Sequence, residues 1–126
     1  MTDDRGSAHV GAMRVEVHLP GVASLKGKRA ILNKAKAALR RDLDVSVAEV
    51  GWTESWQRSA LAVAVVAGSA AGVDRVLDRV VAVLERDPRV VVTGTATDVG
   101  LLDVDDLDAT AGLLAHGSWP HDEEGE

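Results

Sequence analysis

Seven lysines and arginines crowded into one short stretch are the residues of this chain best suited to a chemical role. Half of the 14 basic residues lie between positions 25 and 41, with no acidic residue among them. Four of these residues and one asparagine recur at steps of three or four: Lys26, Arg29, Asn33, Lys36 and Arg40. On a helix these positions form one ridge roughly 20 Å long, because each residue adds about 1.5 Å. A cationic ridge can follow a phosphate backbone.

This basic stretch predicts contact with RNA or ribosomal particles, carried by Lys26, Lys28, Arg29, Lys36 and Arg40. Like charges four residues apart destabilise a helix slightly, and nucleic-acid binding is one reason to tolerate them. The alternative is a solvated face whose lysine stems lie along the sheet edge and whose last cations offset the helix dipole. Base stacking is disfavoured, because Phe and Tyr are absent and RNA-recognition sheets stack bases on aromatic side chains.

No catalytic, cofactor or metal-binding pattern accompanies the basic stretch. Five residues instead of four separate Gly21 from Gly27, and Arg29 replaces the Ser or Thr that a phosphate-binding loop requires. Cysteine is absent, and the histidines include no pair at metal-ligand spacing. The acidic run over 103–108 lacks the glycine and glutamate of a calcium loop. We therefore expect no catalytic residue, metal, cofactor or small-molecule substrate site.

Length and composition are those of one small globular domain. The chain has 126 residues, of which 46% are hydrophobic and 27% charged, a balance typical of a folded domain. The first twelve residues contain no apolar run of a signal peptide. The longest apolar run, residues 60–67, is far shorter than the roughly 20 residues that span a bilayer. We expect a cytoplasmic protein without a membrane span.

Charge is distributed unevenly along the chain, although the net charge of −6 alone would argue against nucleic acid. Residues 8–89 carry 13 bases and nine acids, whereas residues 90–126 carry nine acids and no Lys or Arg. We expect a domain over 8–103, a flexible N-terminus over 1–7 and a flexible acidic tail over 104–126. A tethered acidic tail would compete for the basic ridge at a roughly millimolar effective concentration.

The first half of the domain predicts a strand followed by the basic helix. Residues 10–19 alternate between apolar and polar, which is typical of a half-buried strand. Ser24 is the expected N-cap of a helix over 25–41, because its hydroxyl can accept a hydrogen bond from a free first-turn amide. Apolar residues at helical spacing give this helix one stripe that packs on a sheet.

The second half predicts three strands and one helix. Residues 45–50 and 57–67 indicate an antiparallel hairpin across a polar turn. Apolar residues at helical spacing predict one helix over 73–84, and residues 90–99 form the last strand. The β-α-β-β-α-β order predicts an α+β, ferredoxin-like two-layer sandwich, with an antiparallel four-stranded sheet and both helices on one face.

Several short runs resemble the bacterial YlxP-like family of small proteins of unknown function. They are residues 24–29 (SLKGKR), 45–50 (VSVAEV), 56–58 (WQR) and 64–66 (AVV), and the similarity covers about residues 8–103. The resemblance implies a ferredoxin-like fold and a cytoplasmic protein, often encoded among genes for transcription, translation initiation and ribosome maturation. It implies no activity. Gly27 stands where the family usually has Asp or Glu, so the capping box with Ser24 is incomplete.

The sheet face that the helices leave open is a second candidate surface. Depending on register, the residues expected there include Val45, Val47 and either Ala60 and Ala62 or Leu61 and Val63. Such an apolar patch predicts a homodimer or a protein partner, unless the tail covers it.

The turn of the predicted hairpin carries Trp52 and Trp56, and Arg58 follows it. Tryptophan is favoured at binding hot spots, so these three residues are interface candidates; capping the end of the core is the alternative. The sequence thus favours a non-enzymatic accessory protein that associates with RNA or ribosomes through its first helix. The alternative is a homodimeric interaction module that uses the open sheet face and the Trp52/Trp56 turn.

Overall fold

Strands and helices alternate along the chain in the order that the hydrophobic pattern predicts. The structure, a computed structural model, describes residues 5–103. Its elements are β1 (Ala8–His18), α1 (Leu25–Leu43), β2 (Ser46–Gly51), β3 (Arg58–Ala67), α2 (Ala70–Leu77), α3 (Val80–Leu84) and β4 (Val91–Leu102). The predicted flexible segments over 1–7 and 104–126 fall wholly or largely outside the described residues.

The four strands form one open antiparallel sheet in the order β2-β3-β1-β4. β1 and β3 occupy the centre, while β2 and β4 are the edges. One irregularity in register lies between Glu16 and Val17 where β1 meets β4, and another between Glu49 and Gly51 where β2 meets β3. This topology confirms the predicted α+β, ferredoxin-like arrangement.

The core lies between the helices and one face of the sheet. Met13 is paired with Val63 and Val15 with Leu61, and all four side chains point to the helix side. The helices complete this core with Ile31, Leu39, Val73, Leu77, Val80 and Leu84 among others. Val and Leu supply almost all of the buried volume, because the chain has no Phe or Tyr.

Helix α1 begins and ends with capped backbone groups. Ser24 Oγ accepts a hydrogen bond from the Gly27 amide at 2.9 Å, which confirms Ser24 as the N-cap. Asp44 adopts the left-handed conformation after the last turn, with φ of 54°, and its amide donates to the Arg40 carbonyl at 3.0 Å. The helix extends two residues beyond its predicted end at Arg41.

The second helical region is two short helices instead of the single helix predicted over 73–84. The Arg79 amide donates to the Val76 carbonyl, three residues back, so the chain tightens between α2 and α3. The apolar residues nevertheless stay buried on both sides of this break, since Val73 and Val80 are both fully buried. The spacing of the apolar residues therefore predicts correctly which side chains are buried. The prediction of one continuous helix is wrong.

The open face of the sheet carries Ala60 and Ala62, as one of the two predicted registers has it, whereas Val45 and Val47 are buried in the core instead. Val47, Leu61 and Val63 point to the helix side, because β3 pairs with β1 in the register that buries them. Most outward positions carry small or polar side chains: Ala12, Arg14, Glu16, Ala48, Ala60, Ala62, Ala64 and Ala96. Arg14 Nε lies 3.2 Å from Glu16 Oε2 on this face. Larger apolar side chains, among them the exposed Val66 and Leu102, lie at one end of the face, and its middle is partly charged.

Within residues 5–103, no helix is long and apolar enough to cross a membrane.

We expect Gly11→Ala to destabilise the fold by about 1–3 kcal/mol, because helix α2 lies directly on this position. A Cβ on Gly11 would collide with Val73 Cγ1 and would lie 2.9 Å from Leu77 Cδ1. Gly94→Ala is the matched control, because a Cβ there meets nothing within 4 Å. Urea denaturation of both variants measures the difference, and equal stabilities would contradict this packing.

Candidate nucleic-acid interface

Helix α1 turns its apolar stripe to the sheet and most of its cations to the solvent. The buried positions include Ile31, Leu32, Ala35, Leu39 and Leu43. On the opposite surface, Lys26, Arg29 and Arg40 are exposed and Lys36 is partly exposed. These four side chains share one side of the helix, as their spacing predicts, and form the ridge that we call the basic ridge.

The cations of the basic ridge have few partners of their own. Among the residues that the structure describes, the side chains of Lys26, Arg29 and Lys36 form no ion pair and no hydrogen bond. Arg40 Nη2 donates to the Val47 carbonyl at 3.0 Å, which places this end of the ridge beside the edge strand β2. The ridge therefore presents cations whose hydrogen-bond donors remain available.

Lys28 departs from the other predicted contact residues, because its side chain is buried. It is 2% exposed, and its Nζ lies 3.0 Å from Glu49 Oε2. The same ammonium donates to the Trp52 carbonyl at 2.6 Å and to the Ser55 carbonyl at 2.7 Å. Three acceptors use its three donors, so Lys28 is structural, and we leave it out of the proposed surface.

The environment of Lys28 is built by three elements. Lys28 lies on the apolar stripe of α1, in line with Leu32, Ala35 and Leu39. Glu49 lies on β2 and is paired with Leu61, so its carboxylate points to the helix side, where it also accepts from the Ser59 hydroxyl at 2.7 Å. The ammonium thus links α1, β2 and the turn between β2 and β3.

The turn held by Lys28 displays the two tryptophans predicted as interface anchors. Trp52 has a positive φ of 53°, unusual for a bulky residue, and the bond from Lys28 to its carbonyl supports this conformation. Trp52 is 40% exposed and Trp56 53%. The Arg58 guanidinium lies over the Trp52 ring at 5.1 Å from its centroid, within cation–π range.

A second basic surface lies where α1 meets α3. Lys34 and Arg41 line one wall of a groove, and Arg86 and Arg89 line the other, together with Asp87 and Pro88. Its volume is about 530 Å³. We call it the α1–α3 groove. Lys34 and Arg41 project from a different side of α1 than the basic ridge does.

Two aspartates fix the arginines of this groove. Asp42 accepts from Arg41 Nε at 2.9 Å through one carboxylate oxygen and from Arg86 Nη1 through the other. Hydrogen bonds from Arg41 and Arg86 lower the pKa of Asp42 below its usual range. Arg89 donates to Asp87 through Nε and Nη2, at 2.9 and 2.7 Å, and its side-chain and backbone bonds lower the pKa of Asp87 to about 2.

No cluster of three or more histidines, aspartates and glutamates within residues 5–103 could hold a metal ion.

Sequence reasoning missed Glu49 and the α1–α3 groove. Glu49 had a usable signal, because it follows Val45 and Val47 at period two and so points inward with them. Lys28 had one as well, since it falls on the apolar stripe. The groove had none, because Arg86 and Arg89 reach Lys34 and Arg41 only through the packing of α3 on α1.

Comparison with known proteins gives a family without an assigned role. A family model described as "Protein of unknown function (DUF503)" matches residues 10–97. The "Uncharacterized protein YlxP" of Bacillus subtilis (strain 168) is 30% identical over 89 residues, covering 71% of this chain and 97% of that protein.

Two solved structures are similar at low sequence identity. The de novo designed protein Foldit4 has a TM-score of 0.44 at 11% identity, covering 73% of this chain and 94% of its own. A C-terminal segment of the alpha subunit of aIF2 from Pyrococcus abyssi has a TM-score of 0.32 at 13% identity, covering 78% of this chain and 51% of its own.

We expect Lys28→Met to destabilise the protein by about 3 kcal/mol, because it removes one partner of a buried ion pair and leaves two carbonyls without a donor. Lys34→Met is the control: its side chain is exposed and has no ion pair within the described residues, so it should change stability by less than about 0.5 kcal/mol. Chemical denaturation measures both. Equal effects would contradict a structural role for Lys28.

Proposed function

Because this chain belongs to the DUF503 family of proteins of unknown function, which confirms the resemblance to YlxP-like proteins, we propose its role from its own surface. The proposal is an accessory protein that binds RNA or ribosomal particles through the basic ridge of α1. The contact is with the phosphate backbone, and the sequence of the RNA is not read. Lys26, Arg29, Lys36 and Arg40 make the contact.

The observation that carries this proposal is a row of cations that have no acidic partner within the described part of the chain. Lys26, Arg29 and Lys36 have no ion pair among the described residues, and Arg40 is bonded only to a backbone carbonyl. Their mutual repulsion makes α1 less stable than a helix with balanced charges. A polyanion offsets this repulsion and releases counterions when it binds. The ridge spans roughly 20 Å, enough for several phosphates of one strand.

The composition of the sheet supports backbone contact and argues against base stacking. Proteins that stack RNA bases on an open sheet use aromatic side chains of the central strands. The middle outward positions of β1 and β3 carry alanines, Arg14 and Glu16, with Val10 and Val66 at one end and His18 and Arg58 at the other. Of the three tryptophans, Trp52 and Trp56 lie in the turn after β2, and Trp119 lies outside the described residues. The central strands therefore carry no outward Phe, Tyr or Trp within the described residues, and the aromatic rings nearest the open face are those of His18 and Trp52 at one end of it.

The choice of RNA over DNA has one source of support. The family resemblance implies a gene often placed among genes for translation initiation and ribosome maturation. Phosphate contacts alone would serve either nucleic acid, because both carry regularly spaced negative charges.

A protein partner is the second candidate function, and the exposed tryptophans favour it. Trp52 and Trp56 are 40% and 53% exposed on a turn that Lys28 fixes in place. Fixed, exposed tryptophans beside an arginine are the composition of binding hot spots. The flat alanine face beside the turn would let a second copy approach closely. A homodimer through this face and turn is therefore the alternative.

We expect Arg29→Gln combined with Lys36→Gln to reduce the salt dependence of duplex RNA binding. Each phosphate contact contributes about 0.9 to the slope of log affinity against log salt, so two lost contacts should lower it by about 1.8. Arg75→Gln with Arg79→Gln is the matched control, since it removes two exposed charges from the α2 side of the helix layer. Fluorescence anisotropy across a salt series measures the slopes. Equal slopes in both variants, or no binding of duplex RNA by the wild type at low salt, would exclude the basic ridge as the RNA-binding surface.

For the second candidate, we expect Trp56→Ser to convert a dimer to a monomer, while the Arg29→Gln and Lys36→Gln variant remains dimeric. The serine removes an exposed ring and leaves the Lys28 bonds to Trp52 and Ser55 intact. Sedimentation velocity at micromolar concentration measures the association state. A monomeric wild type would contradict the homodimer.

A further inference from the structure

The α1–α3 groove has the dimensions and charge of a ligand site that is separate from the basic ridge. It is an open groove with a volume of about 530 Å³, within the range of about 300–1,000 Å³ for sites that bind small molecules. Its walls come from the middle of α1 and from the segment that joins α3 to β4. Both walls carry cations that face the same space.

The groove has an excess of positive charge. Lys34, Arg41, Arg86 and Arg89 contribute four cations, and Asp42 and Asp87 contribute two carboxylates, which leaves two net positive charges. The two aspartates accept hydrogen bonds from only some of the N–H groups of these four cations. Arg41 and Arg86 each give one nitrogen to Asp42, and Lys34 gives no hydrogen bond to any described residue. Several N–H groups therefore remain for a ligand.

The arginines are held in position before any ligand arrives. Asp42 joins Arg41 of α1 to Arg86 at the end of α3, so one carboxylate fixes the two walls against each other. Asp87 holds the guanidinium of Arg89 through two parallel bonds. These arginines stay half or more exposed, so the ion pairs orient the guanidiniums toward the groove and reduce the conformational entropy lost when an anion binds.

Small side chains give the groove its room. Ala35, Ala37 and Ala38 face the space from α1, and Val83 and Pro88 face it from the other wall. Long side chains at these alanine positions would fill the space between the helices. The apolar surface beside the cations suits a ligand that has both an anionic group and a carbon skeleton.

We propose that the α1–α3 groove binds a phosphate monoester, with the phosphate between Lys34 and the arginines and the organic part on Ala37, Ala38 and Pro88. A phosphate monoester carries about −1.5 to −2 charges at neutral pH, which matches the net charge of the groove. A diester or a carboxylate carries only one charge. The phosphate oxygens accept bidentate bonds from guanidinium, for which Arg is better suited than Lys.

Two sources share this chemistry: a free phosphorylated metabolite, and the phosphorylated end of a nucleic-acid strand. Isothermal titration of the full-length protein with glycerol phosphate, and with terminally phosphorylated and terminally hydroxylated forms of one short RNA, tests both. Binding of glycerol phosphate indicates a metabolite site. A terminally phosphorylated RNA that binds about tenfold more tightly than its hydroxylated form indicates a strand end. No binding of glycerol phosphate and no difference between the RNAs would overturn the proposal.

Variants separate the groove from the ridge. Lys34→Gln with Arg86→Gln should weaken monoester binding by about tenfold or more, because it removes two charge-assisted contacts. Lys34→Gln alone should also weaken it, and this change breaks no ion pair of the described residues. Lys26→Gln with Arg29→Gln removes the same charge from the ridge and should leave monoester binding unchanged. Equal losses of monoester affinity in the groove and ridge variants would overturn the proposal that the α1–α3 groove is the binding site. If only the ridge variant loses duplex RNA binding, this supports RNA binding through the basic ridge and does not bear on the groove.

Discussion

A single buried ammonium fixes the relation between the basic helix, the edge strand and the tryptophan turn. Lys28 Nζ binds Glu49 of β2 and the carbonyls of Trp52 and Ser55, while its stem lies in the apolar stripe of α1. Removing an ion pair from water is costly, and only complete hydrogen bonding offsets the cost. The three acceptors and the apolar stripe of Ile31, Leu32, Ala35, Leu39 and Leu43 therefore require the same rotation of α1. With Lys28 inward, the other basic side chains of the helix must face outward.

This rotation divides the cations of α1 into two surfaces with different character. The basic ridge presents cations that form no ion pair within residues 5–103, suited to a long polyanion that moves along them. The α1–α3 groove presents arginines that Asp42 and Asp87 hold in place, suited to one compact dianion. The net charge of −6 conceals both surfaces, because most of the acidic residues lie elsewhere in the chain. Local charge, therefore, is the relevant guide to the partners of this protein.

The strands and helices can be predicted from the sequence because their apolar residues recur at regular spacing. The candidate sites are harder to predict. Strand β1 alternates and α1 has one apolar stripe, so their types followed directly. The register of β3 did not follow, since Ala60, Leu61, Ala62 and Val63 are apolar on both faces and only pairing with β1 decides between them. The charge of Lys28 predicts an exposed contact with RNA, whereas its position on the apolar stripe of α1 indicates that the side chain is buried. The break between α2 and α3 and the α1–α3 groove depend on tertiary packing, which no local pattern encodes.

We propose that the helix layer, and not the open sheet, contacts nucleic acid. The most direct test is amide chemical-shift mapping by NMR during titration of the full-length protein with a short RNA duplex. We expect the shift changes to be concentrated at Lys26, Arg29, Lys36 and Arg40, with the outward residues of β1 and β3 unaffected. Shifts confined to the open face and the Trp52 turn, or an unchanged spectrum at low salt, would contradict it.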